Sequence, residues 1–230
     1  MKKIFRGLRT RQYLLSKIAE RNKYKTCISK EEYIDLRNYA DKKNVRIAGF
    51  KRFSGDISAI KDLIDDIVII SKDFPFILEG RKSVELNLDF WCGEDVFATT
   101  ENHLVYINAN LFSDIDYLKS EYLLSVLQGK FVADTDYHAI IRHELGHVVA
   151  NIYNIKPLDI AKEVLRTDSN AMVLKYVKEN LSLYSAEYED GREIISECFS
   201  AYYSQTNNSF ANEFVKRCIE LKGGNINEKK

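Results

Sequence analysis

Residues 141–150 read IRHELGHVVA, and within them His143, Glu144 and His147 stand in the order H-E-x-x-H. Zinc is held by neutral imidazoles and carboxylates in tetrahedral geometry. Two histidines four residues apart lie on one side of a helix, one turn apart, so both reach a single ion. Glu144 lies about 100° round the helix from His143. It is out of place as a ligand but within reach of a water on the ion. There it serves as general base, while zinc lowers the pKa of that water towards ~7. Composition alone would produce such a pentad roughly 0.005 times per chain of this kind, which argues for chemistry over accident.

The bland alternative is a histidine pair on a solvated face, each ring meeting a surface carboxylate. A helical wheel weighs against it. Ile141, Leu145, Val148 and Ile152 cluster on the side opposite the histidines, so the helix is expected to bury an apolar stripe and present the pair to another element. Thr135 or Asp134 is expected to cap its start. Gly146 weakens a helix by ~1 kcal/mol relative to alanine, and its presence points to close approach by a neighbour. A catalytic site needs a third protein ligand and an open fourth position. The residues after His147 contain no third histidine at the H-E-x-x-H-x-x-G-x-x-H spacing, which excludes that branch of zinc enzymes. His103 and His138 lie upstream, so a downstream carboxylate is the better candidate. GREIISECFSAYY (191–203) carries Glu193 and Glu197 on one helical face, with Ile195, Cys198, Phe199 and Tyr202 opposite. One of the two would bind the ion, and the other would accept the free ring N–H of a ligating histidine.

The elements around this pair read as follows. Helices are expected over 5–21 and over 30–43, the second capped by Ser29. VRIAGFKRF (45–53) has strand composition. A helix follows, with Ser54 or Asp56 at its start and Ile57, Ile60, Ile64, Ile67 and Val68 at helical spacing. SVELNLDF (83–90) alternates as a half-buried strand, and 103–112 is a third strand candidate. Helices are expected over 115–128, 135–153, 168–181, 190–205 and 208–221. Strands first and a helical half afterwards argue for an α+β fold. The organisation read from this pattern is a basic helical segment over 1–44, one domain over 45–222 and a frayed tail over 223–230.

The 230 residues suffice for one buried core. Lys+Arg and Asp+Glu both number 34. With no net charge there is no global field for nucleic acid or an acidic membrane. Residues 1–30 do hold ten basic side chains against one acid, Glu20. That is read as a solvated helix face, with too few interleaved aromatics for a nucleic-acid surface. Charges interrupt the first 25 residues every few positions, so no signal peptide is visible, and no apolar run is long enough to span a bilayer. Cys27, Cys92, Cys198 and Cys218 lack C-x-x-C spacing and are expected to be free thiols in a cytoplasmic protein. Export by a non-classical route stays open.

RHELGH together with LYSAEYEDGREIISECFSAYY resembles the catalytic half of the anthrax lethal factor-like zincins, and is closest in style to small bacterial and prophage-encoded members. The matching motifs span roughly 135–205, whereas 45–112 agrees only in layout and 1–44 has no counterpart. The resemblance implies a zincin-like α+β fold with a small mixed sheet, an active-site helix, a helical C-terminal half and one zinc ion per chain. It implies that Glu193 completes the set of His143 and His147, and that Glu197 orients a ligand. A tyrosine upstream would stabilise the oxyanion: Tyr184, or Tyr188, because the spacing to Glu193 is about two residues longer than the family's. The strand over 105–112, with Tyr106, Asn108 and Asn110, would be the edge strand that binds an extended peptide. The implied activity is that of a zinc-dependent endopeptidase acting on a peptide or protein, with phage head proteins as candidate partners. The alternative from another class is a catalytically silent interaction or structural protein on the same scaffold.

Overall fold

Ser29 opens the first described helix by a reciprocal pair of bonds. Its hydroxyl accepts from the Glu32 amide, and the Glu32 carboxylate accepts from the Ser29 amide. The computed structural model describes residues 27–90 and 96–221. The helix expected over 5–21 and the tail over 223–230 lie outside the described residues. Helix α1 (Lys30–Lys42) buries Leu36 and Ala40 in the same core as the rest of the chain. The core therefore continues across the boundary read at residue 44.

Strand β1 (Arg46–Ala48) is shorter than expected, because Gly49 takes a positive φ of 84° and turns the chain into a short 3-10 segment. Helix α2 (Ile57–Asp73) is capped by Asp56, which accepts from the Ser58 amide, and buries Ile60, Leu63, Ile64, Ile67 and Ile70. Strands β2 (Glu85–Asp89), β3 (Ala98–Glu101) and β4 (Leu104–Asn108) complete a mixed sheet of order β1-β2-β4-β3. β1–β2 and β2–β4 pair in parallel, and β3–β4 pair antiparallel.

This order corrects the sequence reading in one respect. The segment 105–112 is not an edge strand. β4 lies between β2 and β3, and Asn108 ends it by capping the helical turn α3 (Ala109–Phe112), accepting from the amides of Asn110 and Leu111. Tyr106 lines a cavity with Arg52, Leu88 and Phe90, away from the histidines, and Asn110 sits on the helical turn. Among the described residues the edge strands are β1 and β3, and the edge beside the histidine helix is β3, a strand that the sequence reading passed over.

The helical half follows: α4 (Ile115–Leu127), α5 (Ala139–Tyr153), α6 (Pro157–Leu165), α7 (Asn170–Asn180), α8 (Arg192–Tyr203) and α9 (Ser209–Leu221). Together they give an α+β fold. α5 begins at Ala139, four residues later than expected. Neither Thr135 nor Asp134 caps it. Asp134 has a φ of 59°, and the Thr135 hydroxyl donates to the Val132 carbonyl. Instead, the start of α5 is clamped to α2. Asp66, only 3% exposed, accepts two bonds from the Arg142 guanidinium at 3.0 and 2.7 Å and contacts His138 Nδ1 at 2.6 Å. Arg142 also donates to the Ser204 hydroxyl at 2.8 Å, just past α8. Phe74, Phe112, Phe199 and Phe214 are fully buried, each such ring worth ~1.5–3 kcal/mol of transfer free energy. Among the described residues no helix is long and apolar enough to cross a membrane.

Candidate metal centre

The two motif helices meet where one of them has no side chain. A Cβ built on Gly146 would lie 2.6 Å from the Ser196 Cα, so only glycine lets α8 come this close to α5. Glu193 and Glu197 flank Ser196 on α8 and are thereby brought against the histidine face of α5. Of the expected apolar stripe, Ile141, Leu145 and Val148 are fully buried and Ile152 packs half-buried against the core. The opposite face is buried as well: His143, Glu144 and Glu193 are each 7% exposed or less, and Glu197 is inaccessible.

Glu193 Oε2 lies 3.2 Å from His143 Nε2 and 3.3 Å from His147 Nε2. This buried oxygen has no hydrogen-bond partner, since neither ring N–H is aimed along the contact. Three donor atoms converge without bonding one another. Tetrahedral donors ~2.1 Å from an ion sit ~3.4 Å apart, close to the spacing found here. Among the described residues, His143, His147 and Glu193 are the group whose donor atoms all fall within 4.8 Å of one another. Two imidazoles and one carboxylate therefore fit a divalent metal ion, and the orphaned Oε2 is the observation that tests the fit.

On its other side the His143 ring contacts Glu197 Oε1 through Nδ1 at 2.8 Å. With an ion in place, this bond would hold the tautomer that presents Nε2 to it. Burial opposes a charge on His143, but the carboxylates of Glu193 and Glu197 outweigh it and raise the ring to about 10. Burial likewise opposes a charge on Glu193, and both histidines outweigh it and hold the carboxyl down at about 2. The group is thus an ionic cluster in which the His143 imidazolium proton competes with a metal ion for the same place.

Glu144 does not join the three. Its Oε2 accepts from the Thr100 hydroxyl of β3 at 2.6 Å, and it lines the cavities on both sides of the histidines. Tyr184, on a short 3-10 turn after α7, packs its ring 5.7 Å from the His143 ring. Burial first, and the charge of Glu193 second, raise its phenol well above its ordinary value and keep it protonated. Tyr188 is 43% exposed and has the Arg192 guanidinium 4.8 Å over its ring.

Two cavities flank the cluster. One, about 350 Å³, is lined by Phe97, Tyr122, Phe131 and Tyr184 together with Ala139 and Ile140. Tyr122 and Phe131 stack at 5.5 Å, and Phe131 also packs on Tyr184 at 5.8 Å. The other, about 660 Å³, is more polar and runs along Ala98, Thr99 and Thr100 of β3 past His147 to Asp190 and Arg192. Sequence reasoning did not anticipate Thr100, Phe97, Tyr122 or Phe131. Thr99-Thr100, a β-branched pair just ahead of Asn102 at a φ of 59° and the next strand, is the hairpin signal that would have pointed to Thr100. The aromatic wall assembles from separate elements and leaves no local pattern. Comparisons of the chain with protein-family models, with curated proteins and with solved structures returned no match.

Proposed function

We propose that the chain is a zinc-dependent endopeptidase of the HExxH-plus-glutamate type, built on a zincin-like scaffold. The observation that carries this reading is the convergence of His143 Nε2, His147 Nε2 and the orphaned Glu193 Oε2, with Glu144 beside them and outside the donor set. When bound, zinc would act as a Lewis acid towards the scissile carbonyl and would lower the pKa of an attacking water.

The chain's own residues then have separable tasks. Glu197 holds the His143 ring in its ligating tautomer. Glu144 takes a proton from the attacking water and returns it to the leaving amine, the role of a general base that turns general acid. Tyr184, kept neutral, donates to the carbonyl oxygen as negative charge develops there. Its contact with the His143 ring supports Tyr184 over the exposed Tyr188 for this role. The outer edge of β3 gives an extended peptide a strand to pair with, beside Glu144. The aromatic cavity suits a large apolar side chain next to the cleaved bond.

Metal analysis of purified variants tests the assignment. Wild type is expected to hold one zinc per chain and Glu193→Ala to lose it. Glu197→Ala is expected to bind zinc about tenfold to a hundredfold more weakly, the usual cost of removing a group that orients a ligand. Full occupancy in Glu193→Ala, with loss in Glu197→Ala, would reverse the two roles.

A further inference from the structure

Thr100 is the one described residue outside α5 and α8 that bonds the carboxylate of Glu144. Its hydroxyl donates to Glu144 Oε2 at 2.6 Å and lies 3.3 Å from the Glu144 main-chain carbonyl oxygen. The other oxygen, Oε1, has no protein hydrogen bond among the described residues. Glu144 is 6% exposed and lines both cavities, so this free oxygen is the one left to meet a substrate water.

The backbone explains why residue 100 can do this. Side chains alternate along a strand. Ala98 is buried and Thr99 exposed, which turns residue 100 back towards α5. The antiparallel pairing of Thr100 with Val105 on β4 fixes its height along the helix. Threonine is stiff at χ1, so the hydroxyl stays in place.

We infer that Thr100 is the positioning residue for the general base. It anchors one carboxylate oxygen of Glu144 to the sheet edge and leaves the other aimed at the water. The inference rests on the peptidase reading and adds to it a link between base and edge strand. A peptide pairing with β3 would lie on the strand that also holds Glu144, so register on the strand and placement of the base are set together.

Thr100→Val keeps the shape of the side chain and removes the hydroxyl, and Thr100→Ser restores a hydroxyl. In zinc-loaded protein, Thr100→Val is expected to lower kcat about tenfold to a hundredfold, the cost of misplacing a catalytic group, with KM within about twofold and zinc content at wild-type level. Thr100→Ser is expected to recover most of kcat. Wild-type kcat in Thr100→Val would overturn the inference. So would an equal loss in Thr100→Ser, because packing of the methyl group would then be the cause.

A double-mutant cycle on urea unfolding of the metal-free protein, combining Thr100→Val with Glu144→Ala, gives a readout without turnover. Non-additive midpoints are expected, and additive ones would overturn the contact. If wild type cleaves nothing that Glu144→Ala does not, the peptidase reading fails, and the cycle alone decides whether Thr100 holds Glu144.

Discussion

At the scale of single residues, the decisive contacts are those that make an ion and a proton alternatives. His143 carries carboxylates on both ring nitrogens, Glu193 on Nε2 and Glu197 on Nδ1. They raise the ring to about 10 against the effect of burial. At neutral pH a metal ion must therefore displace a proton from this cluster. The sign follows: acid favours the protonated, metal-free form, and affinity rises with pH. With one linked proton, zinc affinity should increase about tenfold per pH unit below the raised value. Calorimetry at pH 7 in buffers of different ionisation enthalpy should show about one proton released per zinc bound. A binding enthalpy that is the same in every buffer would contradict this charge assignment.

At the scale of elements, the site exists because two helices touch along a line where one lacks a side chain. In Gly146→Ala the new methyl gains ~1 kcal/mol of helix propensity. It must also fit 2.6 Å from the backbone of Ser196, and overpacking of that kind costs ~1–3 kcal/mol or more. The backbone of α8 cannot step aside as a flexible side chain would. Gly146→Ala is therefore expected to be destabilised by ~2 kcal/mol and to bind zinc weakly, because Glu193 and Glu197 ride outward with α8. Thermal melts with and without zinc check this, and an alanine variant as stable and as fully loaded as wild type would contradict it.

This crossing also shows what a linear reading can and cannot reach. The i,i+4 spacings of His143 with His147, and of Glu193 with Glu197, are local, and a helical period makes them visible. Gly146 stood out because it breaks a propensity rule at the one point where something had to come close. Thr100, Phe97, Tyr122 and Phe131 come from β3, α4 and intervening loops, and only the folded chain sets them beside His143. The misplaced sheet edge has the same origin. β3 is four residues long, buried only at Ala98 among its members, and too short for alternation to announce it, whereas the apolar run of β4 reads as a strand wherever it lies in the sheet.

At the scale of the molecule, the helix that carries His143 and His147 is tied to the core by a buried charge network. Asp66 holds Arg142 and His138 at the start of α5, and Arg142 reaches on to Ser204. Its hydrogen bond to Asp66 raises the His138 ring above its ordinary value, and partial burial only reduces that effect. A raised native pKa stabilises the fold fully below the unfolded value of ~6.5, and that stability is lost as pH rises through the native value. His138→Gln should therefore cost more stability at pH 5.5 than at pH 9, as read from urea midpoints. An equal cost at both would mean that His138 is neutral throughout.

The α+β frame, the close helix crossing and the flanking cavities all support the proposal that the chain holds a metal and cuts peptides, with Glu144 as base. The most direct test is hydrolysis of a peptide library by zinc-loaded wild type and by zinc-loaded Glu144→Ala. Wild type should cleave a subset of peptides, enriched in those with a large apolar side chain beside the cut. Glu144→Ala, with the same zinc content, should be slower by about a hundredfold or more. Equal turnover by the two proteins would contradict the account.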